Sequence, residues 1–217
     1  MPGIVPPEVH EYVDGFLPED DAVAQATTRG RDLGCAPVSR AVGATLSFLA
    51  ASLRAKAVVE IGTGAGVSGL HLFAGMAADG VLTSIDVEPE HQRAARAAFT
   101  KAGITAGRMR LIMGRALDVL PRLTDGGYDL VFVHAAKAEY PRYHEQGVRL
   151  LRHGGVIAFD GVLGQSSAPP ASPTASTVDR GPDAISLREL ITAVREDRRL
   201  VPAMLPVGNG LLVAAKR

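Results

Sequence analysis

A glycine-rich loop followed by a carboxylate is the part of the sequence that most clearly suggests ligand binding. The stretch VVEIGTGAGVSG, residues 58–69, follows a strand-like run and opens a helix-like one. Gly62, Gly64 and Gly66 permit a tight turn and let a ligand approach the backbone, and the exposed N–H groups of the new helix favour a negatively charged group. Asp86 ends the next strand-like run, where its carboxylate can accept two hydrogen bonds from a ribose diol.

The spacing of these glycines argues against a nicotinamide dinucleotide as the ligand. That fingerprint places its third glycine three positions after the second, but Val67 stands there and the third glycine is Gly66. Glu60 adds an acidic residue two places before Gly62. An NAD-dependent oxidoreductase is therefore disfavoured, while a purely structural role of the glycines as turn residues stays open.

A histidine and a lysine stand at a second position where chemistry is expected. The stretch VFVHAAKAEY, residues 131–140, begins as a buried strand and continues into a helix, with His134 at the junction and Lys137 three residues later. Ligands bind at the carboxyl ends of strands in open α/β sheets, and Asp160 ends the next strand-like run. His134 could fill space beside Asp160 or a cofactor, ligate a transition metal, or act as a general base, since imidazole titrates at about pH 6.5. Lys137 could be a base with a lowered pKa or a solvated helix residue.

The strands that position these residues are short apolar runs rich in valine and isoleucine, typical of strands covered on both faces. Five such runs alternate with helix-like segments, which predicts a parallel, right-handed, doubly wound sheet with helices on both faces. Two further runs flank the turn PVGNG and predict a C-terminal antiparallel hairpin. The expected fold is a Rossmann-like α/β sheet of seven strands, Ala57–Ile61, Val81–Asp86, Met109–Met113, Tyr128–Val133, Val156–Phe159, Leu200–Leu205 and Leu211–Ala215.

The domain limits follow from the same pattern. Residues 1–55 predict an N-terminal helical cap, in which Ser39 caps a helix, and residues 56–217 predict the Rossmann-like core, so that residues 1–217 form a single domain. Residues 161–182 are rich in Gly, Ser, Pro, Ala and Thr and predict a flexible loop, either a lid or a disordered tether. The core helices are expected at Pro89–Gly103, from about Lys137 to Arg152, and at about 183–197.

The composition excludes several classes of partner and site. Lys+Arg and Asp+Glu are equal at 23 each, which gives no support for nucleic acid or an anionic membrane as a partner. Cys35 is the single cysteine, so neither an internal disulfide nor a cysteine-rich metal site is possible. No secretory signal and no apolar run long enough to span a membrane is visible. The sequence therefore predicts a soluble, cytoplasmic domain.

Four segments together carry a resemblance to a known family. The pieces VVEIGTGAGVSGL, SIDVEPEHQRAARAAF, DLVFVHAAKAEYPRYHEQGVRLLRHGGVIAFDGVL and LPVGNGLLVAAK resemble, in order and spacing, the bacterial catechol-O-methyltransferase-like enzymes of class I. The resemblance covers roughly residues 30–217. It implies an S-adenosylmethionine-dependent O-methyltransferase that acts on a small-molecule hydroxyl and forms a homodimer with help from its N-terminal helices.

The resemblance also implies which residues hold S-adenosylmethionine. Ser68 would face the methionine carboxylate, Asp86 would hold the ribose, and Ala116 would lie along the adenine. Where the family has Gly-Asp-Ala, this chain has Arg115 in the middle, so the usual carboxylate beside the adenine amino group is absent. The full set implied to contact the cofactor is Val38, Glu60, Gly62, Thr63, Gly66, Ser68, Asp86, Ala116 and His134.

The metal site of the family is altered in this chain. The family binds a divalent cation through an Asp after strand four and an Asp-Asn pair after strand five, and uses a lysine as base. Here His134 replaces the first Asp, Asp160-Gly161 replaces the pair, and Lys137 is retained. Magnesium prefers six oxygen ligands, and although imidazole suits zinc, iron or nickel, two ligands are too few to predict a metal. The hypothesis is metal-independent methylation with His134 or Lys137 as base; the alternative is a protein that binds S-adenosylmethionine or S-adenosylhomocysteine without catalysis.

Overall fold

A single seven-stranded sheet forms the centre of the molecule. The structure is a computed structural model that describes residues 6–163 and 181–217. The strands follow the order β3-β2-β1-β4-β5-β7-β6, and β7 alone runs in the opposite direction to the other six. This arrangement confirms the predicted Rossmann-like fold. The strands are β1 Ala57–Ile61, β2 Val81–Asp86, β3 Met109–Met113, β4 Tyr128–Val133, β5 Leu151–Asp160, β6 Leu200–Leu205 and β7 Leu211–Lys216.

Helices cover both faces of the sheet and create two apolar cores. Side chains alternate along each strand, so Val58 of β1 lies in one core and Val59 lies in the other. The first core receives the N-terminal helices together with the helices that follow β1 and β2; the second receives the helices that follow β3, β4 and β5. The helices are α1 Pro7–Asp14, α2 Asp21–Asp32, α3 Arg40–Ser52, α4 Val67–Gly75, α5 Pro89–Lys101, α6 Ala116–Val119, α7 Tyr140–Leu150 and α8 Pro182–Glu196.

Helices α2 and α3 each begin with a side-chain cap. The carboxylate of Asp20 accepts a hydrogen bond from the N–H of Ala22 at 2.8 Å, at the start of α2. The hydroxyl of Ser39 accepts one from the N–H of Val42 at 3.3 Å, at the start of α3, as predicted. Caps of this kind satisfy N–H groups that have no partner within the helix.

The boundary between α7 and β5 differs from the predicted one. The helix was expected from about Lys137 to Arg152, but residues 137–139 form a 3-10 turn and α7 ends at Leu150. The strand begins at Leu151, which pairs with Tyr128, and the register shifts before Leu130 pairs with Val156. Gly154 inside β5 has a φ of +74°. Gly154 and Gly155 therefore lie at an irregularity within a longer strand.

Most of the predicted loop 161–182 lies outside the described residues. The structure describes its first three residues, which follow β5, and its last two, where α8 begins. None of the helices in the described residues is long and apolar enough to cross a membrane.

Candidate active site

The candidate functional residues meet at the carboxyl edge of the sheet, around a cavity of about 320 Å³. At its wall, β1 and β4 approach so closely that residue 62 must be glycine. Gly62 has a φ of +94°, and a Cβ there would lie 1.9 Å from the carbonyl oxygen of His134. The N–H of His134 in turn donates to the carbonyl oxygen of Ile61 at 2.9 Å. This contact places His134 directly beside the glycine loop.

Glu60 lies beneath the glycine loop in a buried polar network. The hydroxyls of Ser68 and Ser84 donate to its two carboxylate oxygens at 2.6 and 2.5 Å, and Thr63 is hydrogen-bonded to Ser84 at 2.6 Å. Burial raises the pKa of Glu60 from 4.5 to about 7, a shift that the two serine hydroxyls oppose and the charge of Asp86 supports. The network joins the ends of β1 and β2 to the first turn of α4.

Asp86 at the end of β2 is oriented by the surrounding backbone. One carboxylate oxygen accepts the N–H of Gly64 at 2.9 Å, and the other accepts the N–H of Glu88 at 2.9 Å. The Nδ1 atom of His91 lies 3.3 Å from Asp86 Oδ1. An ionised carboxylate has about four lone-pair positions. Asp86 can therefore still accept hydrogen bonds from a ligand in the cavity.

A second carboxylate, that of Glu139, lies at the wall of the same cavity. Arg115, in the loop after β3, donates to Glu139 Oε1 at 3.3 Å. The hydroxyl of Tyr143 in α7 donates to the other oxygen of Glu139. Burial and the nearby Glu139 carboxylate raise the pKa of Tyr143 above its usual value, so this hydroxyl keeps its proton. Arg115 therefore stands where the family has an aspartate, and it contacts the carboxylate of Glu139.

His134 and Asp160 form a hydrogen-bonded pair across the ends of β4 and β5. His134 Nδ1 lies 2.7 Å from Asp160 Oδ2. His134 lines the cavity and is partly exposed, whereas Asp160 is 6% exposed. Asp160 Oδ1 is buried and has no hydrogen-bond partner among the described residues. The pair orients the imidazole ring and leaves its Nε2 atom for a ligand.

Lys137 lies on the other side of Asp160, outside the residues that line the cavity. Its Nζ atom donates to the carbonyl oxygen of Asp160 at 2.6 Å and to the hydroxyl of Tyr140 at 2.7 Å. The Tyr140 hydroxyl itself donates to the Asp160 carbonyl at 3.0 Å. Burial lowers the pKa of Lys137, and the charges of Asp160 and Asp183 partly offset that effect.

The structure brings together most of the residues predicted to bind a cofactor. Glu60 and Gly66 do not line the cavity. Glu60 supports the loop from below, and Gly66, with a φ of +91°, packs against α5, where a Cβ would lie 2.9 Å from the ring of Phe99. The predicted residues that do line the cavity are Val38, Gly62, Thr63, Ser68, Asp86, Ala116 and His134.

His91, Cys35 and Glu139 are among the residues that line the cavity but were not assigned to it from the sequence. His91 could have been found, because it stands five residues after Asp86, in the first turn of α5. Cys35 lies in the loop before α3, and its position follows from tertiary packing. Glu139 is brought to Arg115 by the fold, since 24 residues separate them and no local pattern links them.

The described residues do not fit the divalent metal that the family resemblance implies. His134 uses Nδ1 for Asp160, and Gly161 offers no side chain. A Cβ on Gly161 would lie only 2.7 Å from Lys137 Nζ, so a cationic group fills the space where a third ligand would begin. The described residues contain no group of three or more His, Cys, Asp or Glu that could hold a metal ion. One carboxylate oxygen and one imidazole nitrogen do not provide the oxygen octahedron that magnesium prefers.

Comparisons with known proteins identify the family. A family model described as O-methyltransferase matches residues 21–217. A protein of Mycobacterium sp. (strain KMS) named "Putative O-methyltransferase" is 52% identical over 210 residues, which cover 94% of this chain and 90% of that protein.

Solved structures are similar over nearly the whole chain. A crystal structure of a Corynebacterium glutamicum protein has a TM-score of 0.84 at 31% identity. The similarity covers 96% of this chain and 95% of that protein's chain. The O-methyltransferase TomG from Streptomyces achromogenes, in complex with SAM, has a TM-score of 0.83 at 28% identity and covers 96% of both chains. These similarities favour an enzyme over a binding protein without catalysis. The chain belongs to the O-methyltransferase family of class I, S-adenosylmethionine-dependent enzymes.

Proposed function

We propose that this chain transfers the methyl group of S-adenosylmethionine to a hydroxyl of a small molecule without a divalent metal, with His134 as the general base. The observation that carries the proposal is the 2.7 Å contact between His134 Nδ1 and Asp160 Oδ2 at the wall of the cavity. A base oriented by a carboxylate in this way needs no metal to hold it in position.

The two residues of the His134–Asp160 pair have different roles. With Nδ1–H donating a hydrogen bond to Asp160, the lone pair of His134 lies on Nε2, the atom that can take the proton of an acceptor hydroxyl. Asp160 is a positioning residue, because it acts through the imidazole. Lys137 donates to two oxygen atoms of the protein, which makes it the weaker candidate for the base.

The cavity residues supply complementary groups for the methyl donor. When bound, S-adenosylmethionine supplies an electrophilic methyl group on its sulfonium. Asp86 would accept the ribose hydroxyls, and the glycine loop with Ser68 would bind the methionine part. Ala116 would lie along the adenine, where Glu139 supplies the carboxylate that is missing at Arg115. Val38, Thr63 and the Glu60 network would fix the walls around these contacts.

A methyl-transfer assay with a chelator tests the proposal. The wild-type chain, treated with EDTA, would be incubated with labelled S-adenosylmethionine and a panel of phenols and hydroxy acids. We expect methylation at the same rate with and without EDTA. Loss of turnover on chelation, with recovery on addition of magnesium, would contradict a metal-independent reaction.

A His134→Gln variant tests the base in the same assay. We expect kcat to fall by about 10²–10⁴-fold, the usual contribution of a general base, and the Kd for S-adenosylmethionine to change by a much smaller factor. His153→Gln is the matched control, because His153 is exposed and lies at the opposite edge of the sheet. An unchanged kcat in His134→Gln would remove His134 from the base role.

A further inference from the structure

The head group of Lys137 is held in one position by three contacts on one side. It donates to the Asp160 carbonyl oxygen at 2.6 Å and to the Tyr140 hydroxyl at 2.7 Å. It also lies 4.6 Å from the centre of the Tyr140 ring. An ammonium is attracted to the face of an aromatic ring, so these contacts together favour the charged form.

Gly161 and this position of Lys137 depend on each other. Gly161 has a φ of +68°, and a Cβ added there would lie 2.7 Å from Lys137 Nζ and 3.3 Å from its Cε. Contacts under 3 Å with a Cβ require a shift of the neighbouring atoms. Any side chain at position 161, including the amide of an asparagine, would therefore displace the ammonium. A ligand side chain at 161 and the observed lysine position exclude each other.

Two carboxylates act on the ammonium of Lys137. The Asp160 carboxylate and, at longer range, the carboxylate of Asp183 both act on Lys137. A divalent ion beside Asp160 would be repelled by the ammonium across a distance of a few ångströms, in a partly buried place where charges are weakly screened.

We infer that the ammonium of Lys137 occupies the place of the divalent cation and supplies the positive charge beside Asp160, so that this chain excludes divalent metals from its active site. The inference deepens the proposed function and rests on it for the reaction. It makes Lys137 a fixed charge and a positioning residue, and it explains why Gly161 and His134 occur together with the lysine.

A manganese titration by calorimetry tests the inference without a known acceptor. Four proteins, all of which keep Gly161, would be compared: the wild type, the variant His134→Asp, and this variant with either Lys137→Met or Lys101→Met. Lys101 is an exposed residue at the end of α5 and serves as the matched control.

The inference makes a distinct prediction for each protein. We expect no saturable manganese binding to the wild type. We expect His134→Asp with Lys137→Met to bind manganese at least about tenfold more tightly than His134→Asp alone, because removal of the ammonium removes the repulsion. We expect the Lys101→Met control to match His134→Asp alone.

Several outcomes would overturn the inference. One is saturable manganese binding to the wild type that Asp160→Asn abolishes. Equal affinity with and without Lys137, or no binding once Lys137→Met is present, would show that the lysine is not what keeps the cation out.

Titration of the wild type with S-adenosylmethionine separates the two proposals, since failure to bind it contradicts the proposed function whatever the manganese result. If the variants do not fold, the wild-type titration alone still decides against the inference when it saturates.

Discussion

At the scale of single residues, Glu60 shows how the glycine loop is supported from below. Its carboxylate is completely buried and is held by the hydroxyls of Ser68 and Ser84. Burial disfavours the charged form, which is why its pKa rises to about 7. A carboxyl with this pKa changes its charge near neutral pH, directly beneath the cavity.

We predict that the raised pKa of Glu60 makes the fold less stable as pH rises from about 5 to 8. Between the unfolded value of 4.5 and the folded value of about 7, the folded chain keeps a proton that the unfolded chain releases. The stability that this group contributes is fully present below pH 4.5 and is lost as the pH rises through about 7. The cost of ionising the buried carboxyl over this range is about 2–3 kcal/mol.

The variant Glu60→Gln tests this prediction, because glutamine stays neutral. Its amide group can donate to Ser84 while Ser68 still donates to its oxygen, so the network keeps its hydrogen bonds. Urea unfolding at pH 5 and pH 8 should show that the variant gains about 2–3 kcal/mol relative to the wild type at the higher pH. Glu145→Gln, an exposed change in α7, should show no such gain. Parallel pH profiles for Glu60→Gln and the wild type would contradict the assigned pKa.

At the scale of elements, the strands could be predicted because each is a short apolar run between turns. The start of β5 could not, since Gly154-Gly155 suggests a turn and only the pairing of Leu151 with Tyr128 places these residues in the sheet. The glycine loop was also predictable, because its glycines stand close together directly after a strand-like run. The Arg115–Glu139 contact and the position of Lys137 against Gly161 depend on packing between elements, which no spacing in the sequence encodes.

The packing of α3 against α4 depends on a helical glycine. A Cβ on Gly75 would lie 2.0 Å from the carbonyl oxygen of Ser47 and 3.0 Å from the Cβ of Ala50. Backbone atoms cannot move aside as the end of a flexible side chain can. The two helices can therefore approach closely only while position 75 has no side chain.

We predict that Gly75→Ala forces α3 away from α4 and lowers the free energy of unfolding by about 1–3 kcal/mol, the usual cost of overpacking. Gly107→Ala is the matched control, because a Cβ there would meet nothing within 4 Å. Urea denaturation of both variants measures the difference. Equal stability of Gly75→Ala and the control would show that the helices can separate without cost.

At the scale of the whole molecule, large apolar side chains remain exposed on the N-terminal helices and on the segment between α1 and α2. Tyr12, Phe16 and Phe48 are 73%, 70% and 69% exposed, and none of the residues of α1 is buried. The carboxylate of Asp14 accepts the N–H of Ala41 at 2.9 Å, so α1 is tied to the start of α3. Exposed apolar residues grouped on connected elements often mark an interface. They support the expectation that two copies of the chain associate through these helices.

We predict that the wild type is a homodimer and that Phe16→Ser combined with Phe48→Ser makes it monomeric. Burial of each phenylalanine contributes about 1.5–3 kcal/mol, so loss of two per chain weakens the association by several orders of magnitude. Light scattering after size-exclusion chromatography should give twice the chain mass of 22.7 kDa for the wild type and the single mass for the variant. Val201→Thr is the control and should leave the dimer intact, because Val201 is also exposed and apolar but lies on β6 and not on the N-terminal helices. A monomeric wild type at high concentration would rule out these helices as a dimer interface, and would leave each active site to be completed by its own chain alone.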